Sequence, residues 1–599
     1  MVSRRNLITI ILMMMTIFFM FQFTQVIKVR NNQYDTNLYA KESVLVEKEK
    51  FDADAACEWV VYFGKTDTEA YESVKEWCGY SKKYLKTFSD LDDADVLTLK
   101  RARLIVIDAK ASDCINKGKT LEKMAEYETP MVFFDLPDAE KIATSARLRR
   151  LFGIKKTVMP EVEAKGFQVF KGFLLGGEAA YMPQKEEEEK YNDFDCMVPW
   201  FKLGSGTKTY AVAMMDEDEV KANDFPNLIW SHNYKGNLIY VVAFDLINRD
   251  TGMGFLSAID YSANEYSLYP VVNAQNMVLS DFPVITEENT DKINELYSMN
   301  SMSLCRDITW PVFISISRRY NLKLTCFTNT GFSENAEKQN EEYLNFYLQQ
   351  LKEIDGEMGR SLNTESDDLS EKIKNDGKFF NGKENGYSYS AAYIPEITGD
   401  SRGILKENAF GLLGVHTIAG KNTENADIIS YLDDTITYQG ITNVADEYTY
   451  SKELKYRCML TAIGYSNILI DMHKVGFPES KDDEWQNFSR KISSNIHTFW
   501  TGNKEFDFTA LSESDTRARE FLNLKYDYEK DGDSLVLNTS NVDEAYFVLR
   551  THGEKITSIE GGEYSFMEEG AYLIHATAPR TVIGLGKSDR IFEYDGLLR

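Results

Sequence analysis

The chain has 599 residues, 43% of them hydrophobic, and a formal net charge of −27. The hydrophobic share is typical of a folded globular protein and excludes a disordered chain, and at about 150 residues per domain the length indicates three or four domains. The negative charge disfavours nucleic acid as a partner because phosphates would be repelled, whereas a neutral or cationic polymer is electrostatically compatible.

The N-terminus carries the pattern of a membrane anchor. Two arginines precede an apolar run over residues 7–23, and basic residues follow it without a small-residue cleavage site. This pattern predicts an uncleaved signal-anchor, in which residues 1–30 form a short cytoplasmic tail and one transmembrane helix. Residues 31–56 are polar and charged and are predicted to be a tether. We therefore expect a single-pass protein of the cell membrane with the bulk of the chain extracellular.

Residues 57–270 are predicted to form a flavodoxin-like α/β domain. Buried apolar strands alternate here with helical segments, which is typical of βαβ units around a parallel sheet. The predicted strands are 59–63, 104–108, 131–136, 208–215 and 237–244, and the predicted helices are 68–80 and 121–128. The glycines within 250–254 predict a tight turn. Because no glycine-rich phosphate-binding motif follows the first strand, no nucleotide is assigned.

Residues 271–502 are predicted to form an α/β barrel. The stretch 277–283 reads Met-Val-Leu-Ser-Asp-Phe-Pro, and such an apolar run ending in an acid and a Phe-Pro stop predicts a buried strand with Asp281 at its carboxyl end. Barrels and open α/β sheets keep their chemistry at that end of the strands. Further strands are predicted at 322–327, 387–393, 410–415 and 467–471, with helices at 311–320 and 334–354.

The last region, residues 503–599, is predicted to form a β-sandwich. Short strands are expected at 506–508, 534–537, 545–550, 556–559, 571–575 and 581–585. Turn signals such as Asp531-Gly532 and Gly561-Gly562 separate them, which is typical of an all-β appendage.

The middle region resembles the polysaccharide deacetylase (NodB-homology) family in its Pel exopolysaccharide form. The resemblance rests on the order of several short segments, which are Ser280-Asp281-Phe282-Pro283, the turn and strand over residues 320–327, Glu357-Met358-Gly359-Arg360-Ser361, Tyr393-Ile394-Pro395, and Ile468 to His473. The resemblance implies a barrel that acts on an exopolysaccharide, with an amino-sugar polymer as the substrate class.

The family's chemistry identifies what the matching positions would do. In the family one Asp and two His hold a divalent metal that activates a water, a second Asp is the base, and a late His protonates the leaving amine. Here Asp281 remains as a metal ligand, Ser280 stands at the base position, and Ser361 and Glu365 stand at the two His positions. The resemblance therefore implies catalytic roles for Asp281 and His473, and either no metal or a weakly bound divalent metal on Asp281 and Glu365.

A further set of residues is predicted to bind substrate in the same crevice. They are Ser280, Glu357, Ser361, Tyr393 and His416. His416 is included because it follows the strand predicted at 410–415, so that it would end at the same edge of the barrel.

Three functions are compatible with these patterns. The first is a catalytically impaired deacetylase-like protein of exopolysaccharide biosynthesis or modification, a pseudoenzyme that binds or scaffolds the glycan, as in a biofilm. The second is an active, metal-dependent deacetylase of an amino-sugar polymer with a displaced site. The third is a structural assembly protein that binds other subunits of an export complex.

Overall fold

The computed structural model describes residues 12–16, 58–194, 196–216, 220–283, 289–329, 337–364, 368–381, 387–422, 427–502 and 504–587. Of the predicted signal-anchor, only residues 12–16 lie within these ranges, and they are helical. Nowhere in these ranges does a helix combine the length and the apolar character needed to cross a membrane.

The first unit is a mixed nine-stranded sheet covered by helices. The strands up to residue 242 are β1 Trp59–Phe63, β2 Tyr84–Phe88, β3 Ala102–Asp108, β4 Met131–Phe134, β5 Ile154–Ala164, β6 Gly166–Val169, β7 Ala179–Tyr181, β8 Cys196–Leu203, β9 Thr207–Met214, β10 Asn227–Tyr234 and β11 Asn237–Val242. The helices are Glu69–Tyr80, Val96–Arg101, Gly118–Met124, Ala139–Thr144, Ala146–Leu151 and Gly252–Ala263.

The strand order in this sheet is β2-β1-β3-β4-β11-β10-β9-β6-β7, and β5 pairs with β8 as a separate ribbon. The first five strands are parallel and follow the flavodoxin-like order, while the remaining strands are antiparallel. The buried apolar runs of β1, β3 and β4 place the parallel half in the core, since helices cover both of its faces.

The segment predicted to be a tight turn at 250–254 instead begins a helix, Gly252–Ala263, which is almost entirely buried. A Cβ on Gly254 would lie 2.5 Å from the Cα of Cys458 in the helix Tyr450–Ile463. The glycine therefore permits a close helix–helix contact between the first unit and the next one, rather than a turn.

The second unit is a curled parallel sheet. Its strands are β13 Ala274–Ser280, β14 Leu324–Thr328, β15 Glu357–Ser361, β16 Ala391–Ile397, β17 Thr417–Asn422, β18 Ile429–Tyr431, β19 Thr437–Gly440, β20 Asn443–Val444, β21 Tyr465–Asp471 and β22 Phe508–Thr509; β12 Tyr266–Val271 belongs elsewhere. The main helices are Thr290–Tyr297, Trp310–Tyr320, Glu337–Lys352, Leu369–Asn381, Gly399–Glu407, Tyr450–Ile463, Trp485–Asn495 and Leu511–Asn523.

The strand order is β18-β19-β17-β16-β15-β14-β13-β21-β20, with β22 beside β13. The segment 437–444 joins the two ends of this sheet. Its first half pairs with β17 and its second half with β21, through bonds such as Ile441 N to Gly420 O and Thr442 N to Asn467 O. The parallel strands therefore surround a common interior with all their carboxyl ends at one edge.

The prediction of a strand at 410–415 is wrong. Residues Ala409–Leu412 form a short 3₁₀ turn, and the strand that follows begins at Thr417. Phe410 lies on the surface with 90% of its side chain exposed, so the apolar composition of this stretch does not reflect a buried strand.

The third unit is a pair of four-stranded antiparallel sheets around one apolar core. Its further strands are β23 Lys525–Asp531, β24 Ser534–Ser540, β25 Ala545–Thr551, β26 Glu554–Glu560, β27 Gly562–Glu568, β28 Ala571–Ala576 and β29 Arg580–Lys587. The sheet orders are β12-β25-β28-β27 and β23-β24-β29-β26. Leu537, Phe547 and Ile574 lie between the two sheets.

The units do not separate at the predicted boundaries. The strand β12 spans residue 270 and pairs with β25 in the last unit, and β22 and the helix Leu511–Asn523 pack on the barrel although they follow residue 502. The buried Arg550 of the third unit also donates to the carbonyl oxygens of Phe173 and Gly172 in the first unit. The three units therefore form one interlocked body.

Candidate functional site

Polar side chains from five strands meet at the carboxyl edge of the curled sheet. Because the strands are parallel, the residues that end or follow them share one edge. These residues are Ser280 and Asp281 after β13, Asn329 after β14, Ser361 and Asn363 at β15, Tyr393 in β16, and Asp471 and His473 at β21. We call this group the Asp281 site.

Asp281 is the buried centre of the site, with 4% of its surface exposed. It leaves β13 with a φ of +51°, a left-handed conformation that Asp tolerates better than most residues. The Oγ of Ser361 donates to its Oδ1 at 2.6 Å, and Nδ2 of Asn329 donates to the same oxygen at 3.0 Å. Nδ2 of Asn363 donates to Oδ2 at 2.7 Å. Three neutral donors therefore hold this carboxylate.

Burial raises the pKa of Asp281 above its ordinary value, because the charged form loses solvation. The hydrogen bonds from Ser361 and Asn363 act in the opposite direction and lower the pKa, as does the nearby His473. The carboxylate of Asp471 raises it. The donors therefore offset part of the cost of keeping a charge at this position.

His473 is partly open to solvent, with 40% of its side chain exposed. Its Nδ1 lies 3.8 Å from Oδ2 of Asp281, and its ring stacks on Phe477 at 4.6 Å between centroids. Asp471 holds the backbone in place, because its Oδ1 accepts from the backbone N–H of His473 at 3.2 Å and from Oγ of Ser280 at 3.0 Å. The histidine is thus positioned to exchange protons or hydrogen bonds with a bound ligand.

Tyr393 forms the floor beside these groups. It is buried, its ring stacks on Phe327 with centroids 5.5 Å apart, and its hydroxyl contacts Ser280. Burial raises the pKa of the Tyr393 phenol, and the charges of Asp471 and Asp281 raise it further. The phenol therefore remains protonated and can act only as a neutral hydrogen-bonding group.

Lys372 contacts one of the residues that donate to Asp281. Nζ of Lys372 donates to Oδ1 of Asn329 at 2.9 Å, which orients the amide so that its Nδ2 faces Asp281. The same ammonium lies 3.1 Å from Oδ1 of the buried Asp376. The donor geometry around Asp281 is therefore fixed by a second set of contacts.

Two residues predicted to bind substrate lie at the opposite edge. Glu357 begins β15, and its Oε1 accepts from Oγ1 of Thr325 at 3.0 Å and from the backbone N–H of Ser512 at 2.9 Å. His416 precedes β17, and its carbonyl oxygen accepts from Arg519. The structure does not bring Glu357 or His416 to Asp281, because each comes at the amino end of its strand.

The donor set does not fit the metal that the resemblance implies. Glu365, the second predicted ligand, lies outside the described residues. Within those residues no group of three or more His, Cys, Asp and Glu side chains could hold a metal ion. The groups hydrogen-bonded to Asp281 are a serine hydroxyl and two amides, which donate to it, and His473 is the one imidazole described beside it. Structural zinc sites use four thiolate, imidazole or carboxylate ligands.

Sequence reasoning missed Asn329 and Asn363. Both follow the carboxyl end of a buried strand, as Asp281 does, and that position was the available signal. The other predicted residues of the group, which are Ser280, Asp281, Ser361, Tyr393 and His473, do lie together.

Comparison with known proteins gives one partial family match. Residues 209–362 match the family model described as "Uncharacterised protein conserved in bacteria (DUF2194)". The matched segment runs from β9 to just beyond β15, so it includes Asp281 and Ser361. No curated protein matches the chain.

The solved structures include a protein similar to this chain over most of its length. It is Agd3, described as a novel carbohydrate deacetylase, with 10% sequence identity, a TM-score of 0.51, and coverage of 89% of this chain and 99% of Agd3. A protein from Parabacteroides distasonis described as a candidate glycoside hydrolase/deacetylase shares 10% identity over 47% of this chain and 82% of its own, with a TM-score of 0.25. The first of these likenesses shows that the chain has a fold similar to that of a carbohydrate deacetylase.

Proposed function

We propose that this chain is a carbohydrate-binding protein built on a deacetylase-like fold, and that it binds an exopolysaccharide at the Asp281 site without hydrolysing its acetyl groups. The observation that carries the proposal is the environment of Asp281. Both oxygens of this carboxylate accept hydrogen bonds from neutral side chains at the edge where a deacetylase would keep its metal.

The chemistry of the site suits a sugar. Asp281 and Asp471 supply carboxylate oxygens, Tyr393 and Ser280 supply hydroxyls, and His473 supplies an exposed imidazole. Sugars present many hydroxyl groups, which pair with such groups in polar clefts. A polymer with free amino groups gains further attraction from the two carboxylates, and the net charge of −27 favours it at long range.

The proposal includes an anchor at the N-terminus. The apolar run at residues 7–23 supports a location on the outer face of the cell membrane, where an exopolysaccharide is accessible. Fractionation tests this part. We expect the full chain in the membrane fraction, resistant to extraction by high salt and released by detergent, whereas recovery in a salt wash would contradict an anchor.

A second candidate is an active, metal-dependent deacetylase that uses Asp281, Glu365 and His473. The observation that favours it is the 3.8 Å separation between Nδ1 of His473 and Oδ2 of Asp281, since a histidine beside a carboxylate can serve as a general acid. This candidate requires a metal-binding group that the described residues do not provide.

One experiment separates the two candidates. The purified full chain and the Asp281→Asn variant are titrated with a partly acetylated glucosamine oligomer, while acetate release and bound metal are measured on the same samples. Asp482→Asn is the matched control, because Asp482 is an exposed carboxylate that pairs with Lys491.

We expect the wild type and the control to bind the oligomer without releasing acetate, and Asp281→Asn to bind at least about tenfold more weakly, which is about 1.4 kcal/mol. Metal-dependent acetate release by the wild type would establish the second candidate instead. Equal binding by wild type and Asp281→Asn would refute a role of this site in glycan binding.

A further inference from the structure

A cavity of about 490 Å³ opens at the carboxyl ends of β3, β4 and β11 in the first unit. Ligand sites of open α/β sheets lie outside these strand ends, close to the point where the strand order reverses. The reversal in this sheet lies between β1 and β3, next to Asp108. The volume is in the range of about 300–1,000 Å³ that is typical of small-ligand sites. We call this cavity, lined among others by Asp108, Phe134, Phe201, Phe244 and Asp245, the Asp108 pocket.

The lining of the Asp108 pocket combines apolar side chains with polar ones. Phe134 and Phe201 are buried, Phe244 is half-buried, and Met197 on the β5–β8 ribbon leaves 55% of its side chain exposed. Of these side chains, Phe244 and Met197 leave apolar surface exposed, on which the C–H face of a sugar ring can pack.

The polar lining of the pocket is strongly acidic. Lys110, which also lines it, is already paired with Asp135 at 2.9 Å. Across the part of the chain that the structure describes, neither Asp108 nor Asp245 has an ion-pair partner. Burial raises the pKa of both carboxyls, and the charge of Asp135 raises them further. Asp108 accepts a hydrogen bond from the Ala111 N–H, and Asp245 is exposed, so both carboxylates can accept hydrogen bonds from a ligand in the pocket.

This lining excludes an anionic ligand. A nucleotide phosphate would meet a surplus of carboxylates, and Lys110 is already engaged. A ligand with donor groups and an ammonium would pair with Asp108 and Asp245 while its apolar face packs on Phe244 and Met197.

We propose that the Asp108 pocket is a second glycan-binding site, which takes a glucosamine-type unit with its amino group toward Asp108 and Asp245. The choice of an amino-sugar polymer rests on the function proposed above. The pocket also shares Asp245 with a cleft of about 680 Å³ between the first unit and the barrel, which is lined by Lys421 and Thr442. An oligosaccharide seated in the pocket would therefore continue along this cleft.

The test uses the full chain in detergent and two probes, a fully deacetylated glucosamine tetramer and its N-acetylated counterpart. Titration calorimetry is done on the wild type, on Asp281→Asn, and on Asp281→Asn combined with Asp245→Asn or Phe244→Ala. The two added substitutions lie at an exposed residue and at a half-buried one, so they leave the buried Asp108 and its hydrogen bond from the Ala111 N–H intact. The double variant of Asp281→Asn and Glu140→Gln is the control. Glu140 is exposed and follows the lining residue Ala139, but it does not line the pocket itself.

We expect Asp281→Asn to retain one site for the glucosamine tetramer, and each added pocket substitution to weaken that site at least about tenfold. Binding of the deacetylated tetramer should also fall more steeply with added salt than binding of the N-acetylated one. The inference is overturned if Asp281→Asn retains no binding, or if the pocket substitutions leave the remaining affinity equal to that of the Glu140 control.

The two proposals fail in different ways in this experiment. If Asp281→Asn binds as the wild type does and the pocket substitutions abolish binding, the proposal of glycan binding at the Asp281 site fails. The proposal of glycan binding in the Asp108 pocket then stands. If Asp281→Asn abolishes all binding, glycan binding at the Asp281 site stands and the proposal of a second site in the Asp108 pocket fails.

Discussion

The Oγ of Ser361 lies 2.6 Å from Oδ1 of Asp281, and this hydrogen bond links β15 to the end of β13 across the intervening β14. Both residues are buried. By resemblance, Ser361 stands at a position that holds a metal-binding histidine in active deacetylases. A neutral donor therefore stabilises the charge of Asp281.

The first prediction concerns this hydrogen bond. Ser361→Ala removes a donor that lowers the pKa of Asp281, so the pKa should rise further. Above that pKa the variant should be less stable than wild type by about 1.5–3 kcal/mol, the usual value of a hydrogen bond to a charged group. Below it the difference should shrink, because a neutral carboxyl needs the donor less. Urea unfolding at several pH values measures the difference.

Ser280→Ala is the matched control for that measurement. Ser280 is equally buried, but its hydroxyl donates to Asp471 at 3.0 Å instead of to Asp281. A destabilisation by Ser361→Ala that is the same at all pH values, or the same as that of Ser280→Ala, would show that the hydroxyl has no special relation to the Asp281 charge.

The second prediction concerns metal. Because no group of three or more His, Cys, Asp and Glu side chains among the described residues could hold a metal ion, divalent metal should bind weakly, and EDTA should leave the affinity for the glucosamine oligomer unchanged. At a metal concentration equal to Kd the stabilisation is only about 0.4 kcal/mol, whereas a thousandfold excess over Kd gives about 4 kcal/mol. Melting curves with 1 mM zinc therefore distinguish a weak site from a tight one. A shift of many degrees that EDTA reverses would contradict the prediction.

The sequence predicts most of the buried parallel strands because their apolar runs have few alternatives. The predicted strand 59–63 and helix 68–80 agree with Trp59–Phe63 and Glu69–Tyr80, where Thr68 is the N-cap and accepts from the Tyr71 N–H. The strands Lys525–Asp531 and Gly562–Glu568 were not predicted, because they lie at sheet edges and are mostly exposed. These two edge strands carry no apolar pattern strong enough to identify them.

The site was predictable only where a residue's position along its strand was used. Ser361 ends β15 and Glu357 begins it, so one strand places the two at opposite edges of the barrel, although both belong to one sequence motif. His416 was predicted to bind substrate because it follows the strand predicted at 410–415, and that strand does not form. His416 instead directly precedes β17, which begins at Thr417. The sequence indicates that Asn329 and Asn363 follow strand ends. It does not indicate that their strands lie close enough to β13 for both amides to reach Asp281.

The third prediction is a pH dependence at the contact between the first unit and the barrel. Oε1 of the buried Glu76 accepts from the Ile428 N–H at 3.0 Å, and burial raises the pKa of Glu76 to about 8. The fold therefore favours the neutral carboxyl. The stability this provides is complete below the ordinary glutamate pKa of 4.5 and is lost as pH rises to about 8. Relative to Glu76→Gln, wild type should lose about 1.4 kcal/mol per pH unit within that window.

Unfolding midpoints from pH 4 to pH 9 measure this difference. Glu76→Gln keeps the shape and the acceptor of the side chain but does not titrate, and Glu72→Gln on the half-exposed part of the same helix is the control. Parallel pH profiles for wild type and Glu76→Gln would mean that Glu76 is not held neutral by its surroundings.

The fourth prediction concerns the contact of the helices Gly252–Ala263 and Tyr450–Ile463. In Gly254→Ala the new Cβ would lie 2.5 Å from both Cα and Cβ of Cys458, and backbone atoms cannot move aside as a flexible side chain does. The two helices must therefore separate, and overpacking of this kind costs about 1–3 kcal/mol. Gly79→Ala is the matched control, because Gly79 is also helical and a Cβ there meets nothing within 4 Å. The control should be neutral or more stable by about 0.5–1 kcal/mol, so equal melting temperatures for the two variants would show that the helices do not pack as closely as the structure has them.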